Sequence, residues 1–348
     1  MDSITELLGL GECAVEGVRE EGWRQVIVAR YGERVERCGH CGSGRLHSHG
    51  WRRRRVAHVP VGRQWCEVEY VFQRWRCAAC GRVQTPVLPG VVPRARLSGR
   101  MRELAGLMLR HLRVAVSRLG RWLGLAWSTL WRCLPLAPEP SLAGVRHLCL
   151  DEVYFREPRR YLTVLSDAER GVVLGLAEGR GYKPSSALLQ RLPAEVRAQV
   201  ETLATDLMWG QRNAALDHLP HAEVAADCFH VVRLARQAVR QSTPAQRPAA
   251  RQAVQELRAL LRRNEPAALR AWMARWKKAD GPLRSLVATL SRWELELETY
   301  LTTRRSTGPA EALNRKISLL RRQACGYTNR DNFIGMILLT TSPSHHQR

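Results

Sequence analysis

The chain has 348 residues, 45% of them hydrophobic, with 55 Lys and Arg against 32 Asp and Glu and a formal charge of +23. That length suits two or three domains around ordinary globular cores, and that charge asks for a polyanionic partner, either nucleic acid or an anionic membrane surface. No run of 18 uncharged apolar residues occurs, so a transmembrane helix is not expected, and the acidic start MDSITELLGLGEC lacks the basic region of a secretory leader.

Only four lysines are present, so nearly all the positive charge is arginine. The guanidinium fork selects phosphate, although a GC-rich genome produces the same bias. Ten cysteines in a chain this long are too sparse for a secreted disulfide scaffold and point to a reducing cytoplasm.

Residues 1–35 read as a short lead with one strand-like patch, WRQVIVARY. Residues 36–85 carry CGHC and CAAC, in which Cys38, Cys41, Cys77 and Cys80 match two zinc knuckles. Tetrahedral Zn²⁺ takes four soft ligands, and each CxxC supplies two from one tight turn. Between the knuckles, CEVEYVFQRW alternates Cys66, Val68, Tyr70 and Phe72 on one face, a strand pattern that explains the long gap. The same unit holds Arg52, Arg53, Arg54 and Arg55, a run that suits phosphate contact.

Residues 95–134 turn helical, with a short helix, Gly124 and a second short helix in SRLGRWLGLAWSTLWRCL. This spacing predicts a helix-turn-helix DNA-binding unit with Arg118 and Arg121 facing DNA, although any helical hairpin shares the pattern. From Cys38 to Leu150 there are 19 arginines, no lysine and 4 acids, a net +15, and this asymmetry favours duplex DNA as the partner. Residues 135–145 form a proline-rich linker.

Strand patterns follow in VRHLCLDEVYF, RYLTVLSD and RGVVLGLAEG, then a helix in PSSALLQRLPAEVRAQ, then strands in VETLATD and AEVAAD. Strand, strand, strand, helix, strand, helix is the order of an RNase H-like fold, expected over 146–340 with a helical insertion at about 232–300. Residues 341–348 read as a disordered tail. The fold class is therefore multidomain α/β: a small zinc-binding β unit, a helix-turn-helix and an RNase H-like domain.

In that order Asp151 lies on the first strand and Asp206 ends the fourth, side by side. Glu311 sits off the apolar stripe Leu313, Ile317, Leu320 of the last helix and can join them. Three converging carboxylates repel unless cations separate them, and hard oxygen donors suit Mg²⁺ or Mn²⁺. Two such ions activate water and stabilise the leaving oxygen of a phosphodiester. Each acid also has a plainer role available: Asp206 as a helix cap, Glu311 as a first-turn acid, His230 as a packing histidine.

The two CxxC pairs, LDEVYF…YLTVLSD, ATD, LPHAEVAADCFHVVRLA and STGPAEALNRKI…RRQACGY together resemble the ISL3 family of insertion-sequence transposases, which are DDE enzymes. The resemblance implies Asp151, Asp206 and Glu311 as the metal-binding triad, with Asp227 and His230 supporting the site or touching DNA. It implies a transposase that binds terminal inverted repeats and target DNA, cuts and transfers strands, and works as a homo-oligomer on DNA. Two alternatives use the same residues: a catalytically silent DNA-binding descendant with a regulatory role, and a transcription regulator whose sheet domain binds a small ligand.

Overall fold

The computed structural model describes residues 3–91, 95–112, 114–134, 139–156 and 160–341. The chain divides into two compact units, Met1–Leu136 and Ala137–Arg348. The expected tail, apart from Thr341, and residues 135–138 of the expected linker lie outside the described residues.

In the N-terminal unit, α1 (Ser3–Leu8) precedes a sheet of β1 (Ala14–Glu21), β2 (Arg24–Tyr31), β3 (Leu46–Val61), β4 (Gln64–Cys77) and the short β5 (Val83–Gln84). The order is β1-β2-β4-β3, with β5 on β4. The segment expected as a lead is thus part of the sheet: β2 pairs in parallel with β4 from Arg24↔Trp65 to Tyr31↔Phe72. The alternation expected of β4 holds, and Cys66, Val68, Tyr70 and Phe72 pack with Ile27, Ala29, Tyr31 and Val56 into one buried face.

Three helices complete this unit: α2 (Gly99–His111), α3 (Val116–Leu123) and α4 (Trp127–Cys133). Ser98 caps α2, its hydroxyl accepting from Met101 N at 3.1 Å, and lies 2.7 Å from Nδ1 of buried His58. Gly124 ends α3 in the left-handed region at φ 65°. The turn is tight because Gly120 packs against the chain beyond it, where a Cβ would meet the Leu125 carbonyl oxygen at 2.8 Å.

The C-terminal unit is built on β6 (His147–Arg156), β7 (Arg160–Asp167), β8 (Val172–Glu178), β9 (Thr202–Thr205) and β10 (Glu223–Ala226), with α5 (Tyr182–Gln190), α6 (Ala194–Arg197) and α7 (Trp209–His218) between them. The strand order is β10-β9-β6-β7-β8. β6, β9 and β10 run parallel, while β7 is antiparallel to both β6 and β8. The single helix expected over 184–199 is broken at Pro193, which has no N–H to continue the ladder, so α5 stops and α6 starts afresh.

Side chains alternate across β6. Leu148 and Leu150 join Leu188, Leu189, Ala214 and Ala215 of α5 and α7 on one face. Val153 and Phe155 join the other face, under α13 (Gly308–Gln323) and α14 (Arg330–Thr341) through Leu313, Ile317, Phe333 and Ile337. Between β10 and α13 come five helices: α8 (Cys228–Gln241), α9 (Arg247–Leu260), α10 (Pro266–Trp276), α11 (Pro282–Arg292) and α12 (Glu294–Thr303). They form their own core around Leu257, Trp272, Leu290 and Trp293, and α12 packs against β10.

Candidate active site and metal centres

Each CxxC turn is closed by its own backbone. Gly42 N donates to Cys38 O and Gly81 N to Cys77 O, both at 2.9 Å, and both glycines take φ 70°. The turns face each other across the end of the β3–β4 hairpin. Cys38 Sγ lies 3.7 Å from Cys80 Sγ and Cys41 Sγ 3.6 Å from Cys77 Sγ, with all four sulfurs within 4.8 Å of one another. A tetrahedron of thiolates around zinc, with bonds of about 2.3 Å, needs sulfurs about 3.8 Å apart, so the donor set fits Zn²⁺. The backbone N–H of Cys80, helped by that of Ala79 against the effect of burial, lowers the Cys77 thiol to about 6, towards the thiolate that zinc requires.

The second centre lies where β9 ends beside β6. Their parallel register sets Leu150 opposite Thr205, so the next residues, Asp151 and Asp206, are neighbours. Asp151 is buried; its Oδ1 accepts from Glu152 N and its Oδ2 from Asn314 Nδ2, each at 2.6 Å. Burial, followed by the charge of Asp206, pushes its carboxyl up to about 7, against the Glu152 N–H and His230; Glu311 adds the smallest of the named influences.

Asp227 ends β10 and caps α8, accepting from His230 N at 3.1 Å. This turn brings the His230 ring between two carboxylates, with Nδ1 2.9 Å from Asp227 Oδ2 and Nε2 3.0 Å from Asp206 Oδ2. Burial opposes protonation of the ring, but the bonds to Asp206 and Asp227 outweigh it and raise His230 to about 9. His230 in turn overcomes the burial of Asp227 and holds that carboxyl below its ordinary value.

Asp151 and Asp206 are therefore adjacent, as the sequence led one to expect. The tighter group, with ligand atoms within 4.8 Å of one another, is Asp206, Asp227 and His230, and it includes neither Asp151 nor Glu311. Glu311 stands in the first turn of α13, 3.6 Å from Arg315. Asp206 is not the cap of the next helix; that position belongs to Met208. Its Oδ1 is buried with no hydrogen-bond partner among the described residues. A buried carboxylate oxygen without a partner, beside a carboxyl raised first by burial and then by repulsion, leaves room for a cation beyond His230, and oxygen donors of this kind fit Mg²⁺ or Mn²⁺.

The expected DNA-contact arginines separate into two kinds. Arg118 and Arg121 are exposed on α3. The run on β3 is divided by strand alternation. Arg53 and Arg55 turn towards Glu69, at 3.1 and 2.9 Å, and Arg55 also pairs with Glu21 at 2.7 Å. Arg54 donates to the Ala95 carbonyl oxygen, and Arg52 is exposed.

A cleft of about 360 Å³ opens beside the acids, lined by Asp151, Glu152, Tyr161, Arg180, Asp206 and His230 among others. Asn314, Glu152 and Arg180 were not singled out from sequence. Asn314 follows Glu311 by three residues and so shares its helix face, a spacing that would have flagged it. Arg180 carried no local signal beyond the glycine on each side.

The sequence profile of the ISL3 transposases matches residues 148–268 and 248–337, and that of the zinc finger of IS204/IS1001/IS1096/IS1165 transposases matches residues 34–80. The transposase for insertion sequence element IS1001 of Bordetella parapertussis is 23% identical over 392 residues, covering 96% of this chain and 95% of that protein. The transposase for insertion sequence element IS1557 of Mycobacterium tuberculosis (strain ATCC 25618 / H37Rv) is 30% identical over 97 residues, 28% of this chain and 22% of that protein. Among the described residues no helix is long and apolar enough to cross a membrane. With its profile match spanning more than half the chain and its cysteines set as a zinc ribbon requires, the protein belongs to the ISL3 family of insertion-sequence transposases.

Proposed function

We propose that the protein binds the terminal inverted repeats of its own element, cuts a DNA strand there and transfers the freed end to target DNA. Asp151, Asp206 and Glu311 serve as the metal-binding acids, while Asp227 and His230 support them. The observation that carries this reading is the parallel register of β6 and β9, which sets two carboxylates at adjacent strand ends with no arginine paired to either among the described residues. The strand order, with α5 and α7 on one face and α13 on the other, supports an RNase H-like domain. The α3–Gly124–α4 hairpin with exposed Arg118 and Arg121 supports a helix-turn-helix that reads DNA. Holding two element ends together calls for a homo-oligomer on DNA.

Divalent cations held by the three acids would offset the negative charge that builds on the phosphodiester. The chain's own residues prepare that site. Asn314 fixes the orientation of Asp151 through Oδ2. His230 keeps one proton at Nε2 against Asp206 and one at Nδ1 against Asp227, so that Asp206 keeps a single orientation. No side-chain nucleophile is required: water attacks first, and the freed 3′-hydroxyl attacks second.

The test uses the purified chain, Mg²⁺ or Mn²⁺, and duplexes taken from the two flanks of its gene. Asp151→Asn, Asp206→Asn and Glu311→Gln should each lower strand cleavage by about 10²–10³-fold or more, while gel-shift affinity stays near that of the unaltered chain. Cleavage at the unaltered rate in Asp151→Asn would refute the assignment.

A further inference from the structure

We propose that Arg180 is the phosphate-binding residue of the cleft, holding a phosphodiester of the DNA strand beside the carboxylates, and that Glu152 and Tyr161 position it. This rests on the DNA-cleaving reading above and names the group of the substrate that the cleft grips.

Arg180 stands in the sequence Gly179-Arg180-Gly181, between β8 and α5, and both glycines lie in the left-handed region, at φ 105° and 82°. Other residues reach such angles only under strain, so the loop is specified for one path. A third glycine fixes where that path runs. Gly210 on α7 lies so close to the loop that a Cβ there would meet Tyr182 N at 2.4 Å and the Gly181 carbonyl carbon at 2.8 Å.

The side chain is held on two sides. Its Nε lies 3.3 Å from Glu152 Oε2, and its guanidinium carbon sits 5.0 Å from the Tyr161 ring centroid. Glu152 is itself pinned, accepting from Gly181 N at 3.3 Å and from Gln211 Nε2 at 3.5 Å. The Arg180 side chain nevertheless remains 55% exposed and lines the cleft that Asp151 and Asp206 also line.

An arginine kept only for structure would turn its donors inward. Here one edge is taken by a carboxylate and one face by a ring, Nη2 reaches only the weak acceptor Met208 Sδ at 4.0 Å, and more than half of the side chain stays open to solvent at the mouth of an acid-lined cleft. A planar fork already stacked and tethered loses little freedom on binding, so it favours a bidentate phosphate contact over a diffuse one. It also solves a problem of the site. A polyanionic strand must approach several carboxylates, and a fixed cation at the entrance lowers that repulsion.

The test is phosphate-ethylation interference with the full chain carrying Asp206→Asn, so that DNA is bound and not cut. The probe is end-labelled duplex from the flanks of its gene, ethylated at about one phosphate per molecule. Arg180→Ala should lose interference at one or two phosphates beside the cleavage position, keep it elsewhere, and bind unmodified duplex about tenfold more weakly. Arg180→Lys, which keeps the charge but not the fork, should show reduced interference at those same phosphates. Tyr161→Phe should keep the pattern, whereas Tyr161→Ala weakens those phosphates alone. Arg191→Ala, an exposed charge elsewhere in the unit, should leave the pattern unchanged. Interference in Arg180→Ala matching that of the parent at every phosphate overturns the assignment. Absence of any interference in the parent chain removes the DNA-end reading, and this inference with it.

Discussion

Glu69 in the N-terminal unit and Asp151 in the C-terminal unit are buried to the same degree, 4% and 7% exposed, yet their surroundings are opposite. Glu69 receives Arg19, Arg53 and Arg55 at 3.0, 3.1 and 2.9 Å, and the pairings with Arg55 and Arg19 overcome burial and hold its carboxyl below the ordinary value. Asp151 has an amide and a backbone N–H but no arginine, and burial with the charge of Asp206 takes it up to about 7. A carboxylate kept for architecture is closed by the chain itself. One left without an arginine, in a basic protein with 55 Lys and Arg, is what the proposed metal-binding role requires.

The four cysteines are a third kind of charge cluster, one closed by metal rather than by arginine. Removing zinc by chelation, or changing Cys77→Ser, should have the largest effect on stability. It should take away on the order of 10 kcal/mol of apparent binding and folding free energy and unfold the knuckle end of the N-terminal sheet. Metal analysis should find one zinc per chain before the change and none after; stoichiometric zinc retained in Cys38→Ser, Cys77→Ser would contradict the ribbon.

His58 sharpens the contrast from the basic side, because the N-terminal unit buries it neutral. Burial, assisted by Arg100, lowers it to about 4. The unfolded chain, with its histidine near 6.5, binds the proton more readily than the folded one. Stability is thus fully present above about pH 6.5 and is lost as pH falls towards 4, by roughly 3 kcal/mol in all. Urea midpoints at pH 7 and pH 4.5 should show this loss for the unaltered chain and a smaller one for His58→Gln; equal losses would assign the acid sensitivity elsewhere.

Glu69→Gln should cost about 1–3 kcal/mol, less than a fully buried pair would, because its arginines can turn to water. Asp151→Asn relieves repulsion and should leave stability unchanged or raise it by about 1 kcal/mol. If both substitutions destabilise equally in urea titration, the two acids are of one kind and the contrast between them fails.

The difference between Glu69 and Asp151 was only half legible in the sequence. Asp151 interrupts an apolar strand, and that local pattern marked it. The run Arg52–Arg55 looked like one phosphate-binding patch because its neutralising partners come from elsewhere, Glu69 on β4 and Glu21 on β1, and cross-strand partners leave no mark on the run itself. The place of β2 was hidden for the same reason, since its parallel partner β4 begins 40 residues after β2 does. Asp227 was read correctly as ending a strand, and its capping bond to His230 N is local, but the meeting of the His230 ring with Asp206 depends on the approach of β9. Among local signals, Pro193 was there to be used and correctly divides α5 from α6.

The central claim is that the carboxylates of Asp151 and Asp206, which have His230 beside them but no arginine among the described residues, are completed by a divalent cation. Manganese titration of the zinc-loaded chain, followed by electron paramagnetic resonance, measures this without DNA or turnover. The account predicts saturable Mn²⁺ binding that is lost or weakened at least about tenfold in Asp151→Asn and in Asp206→Asn and is unchanged in Glu69→Gln. Equal Mn²⁺ binding in all four proteins would contradict it.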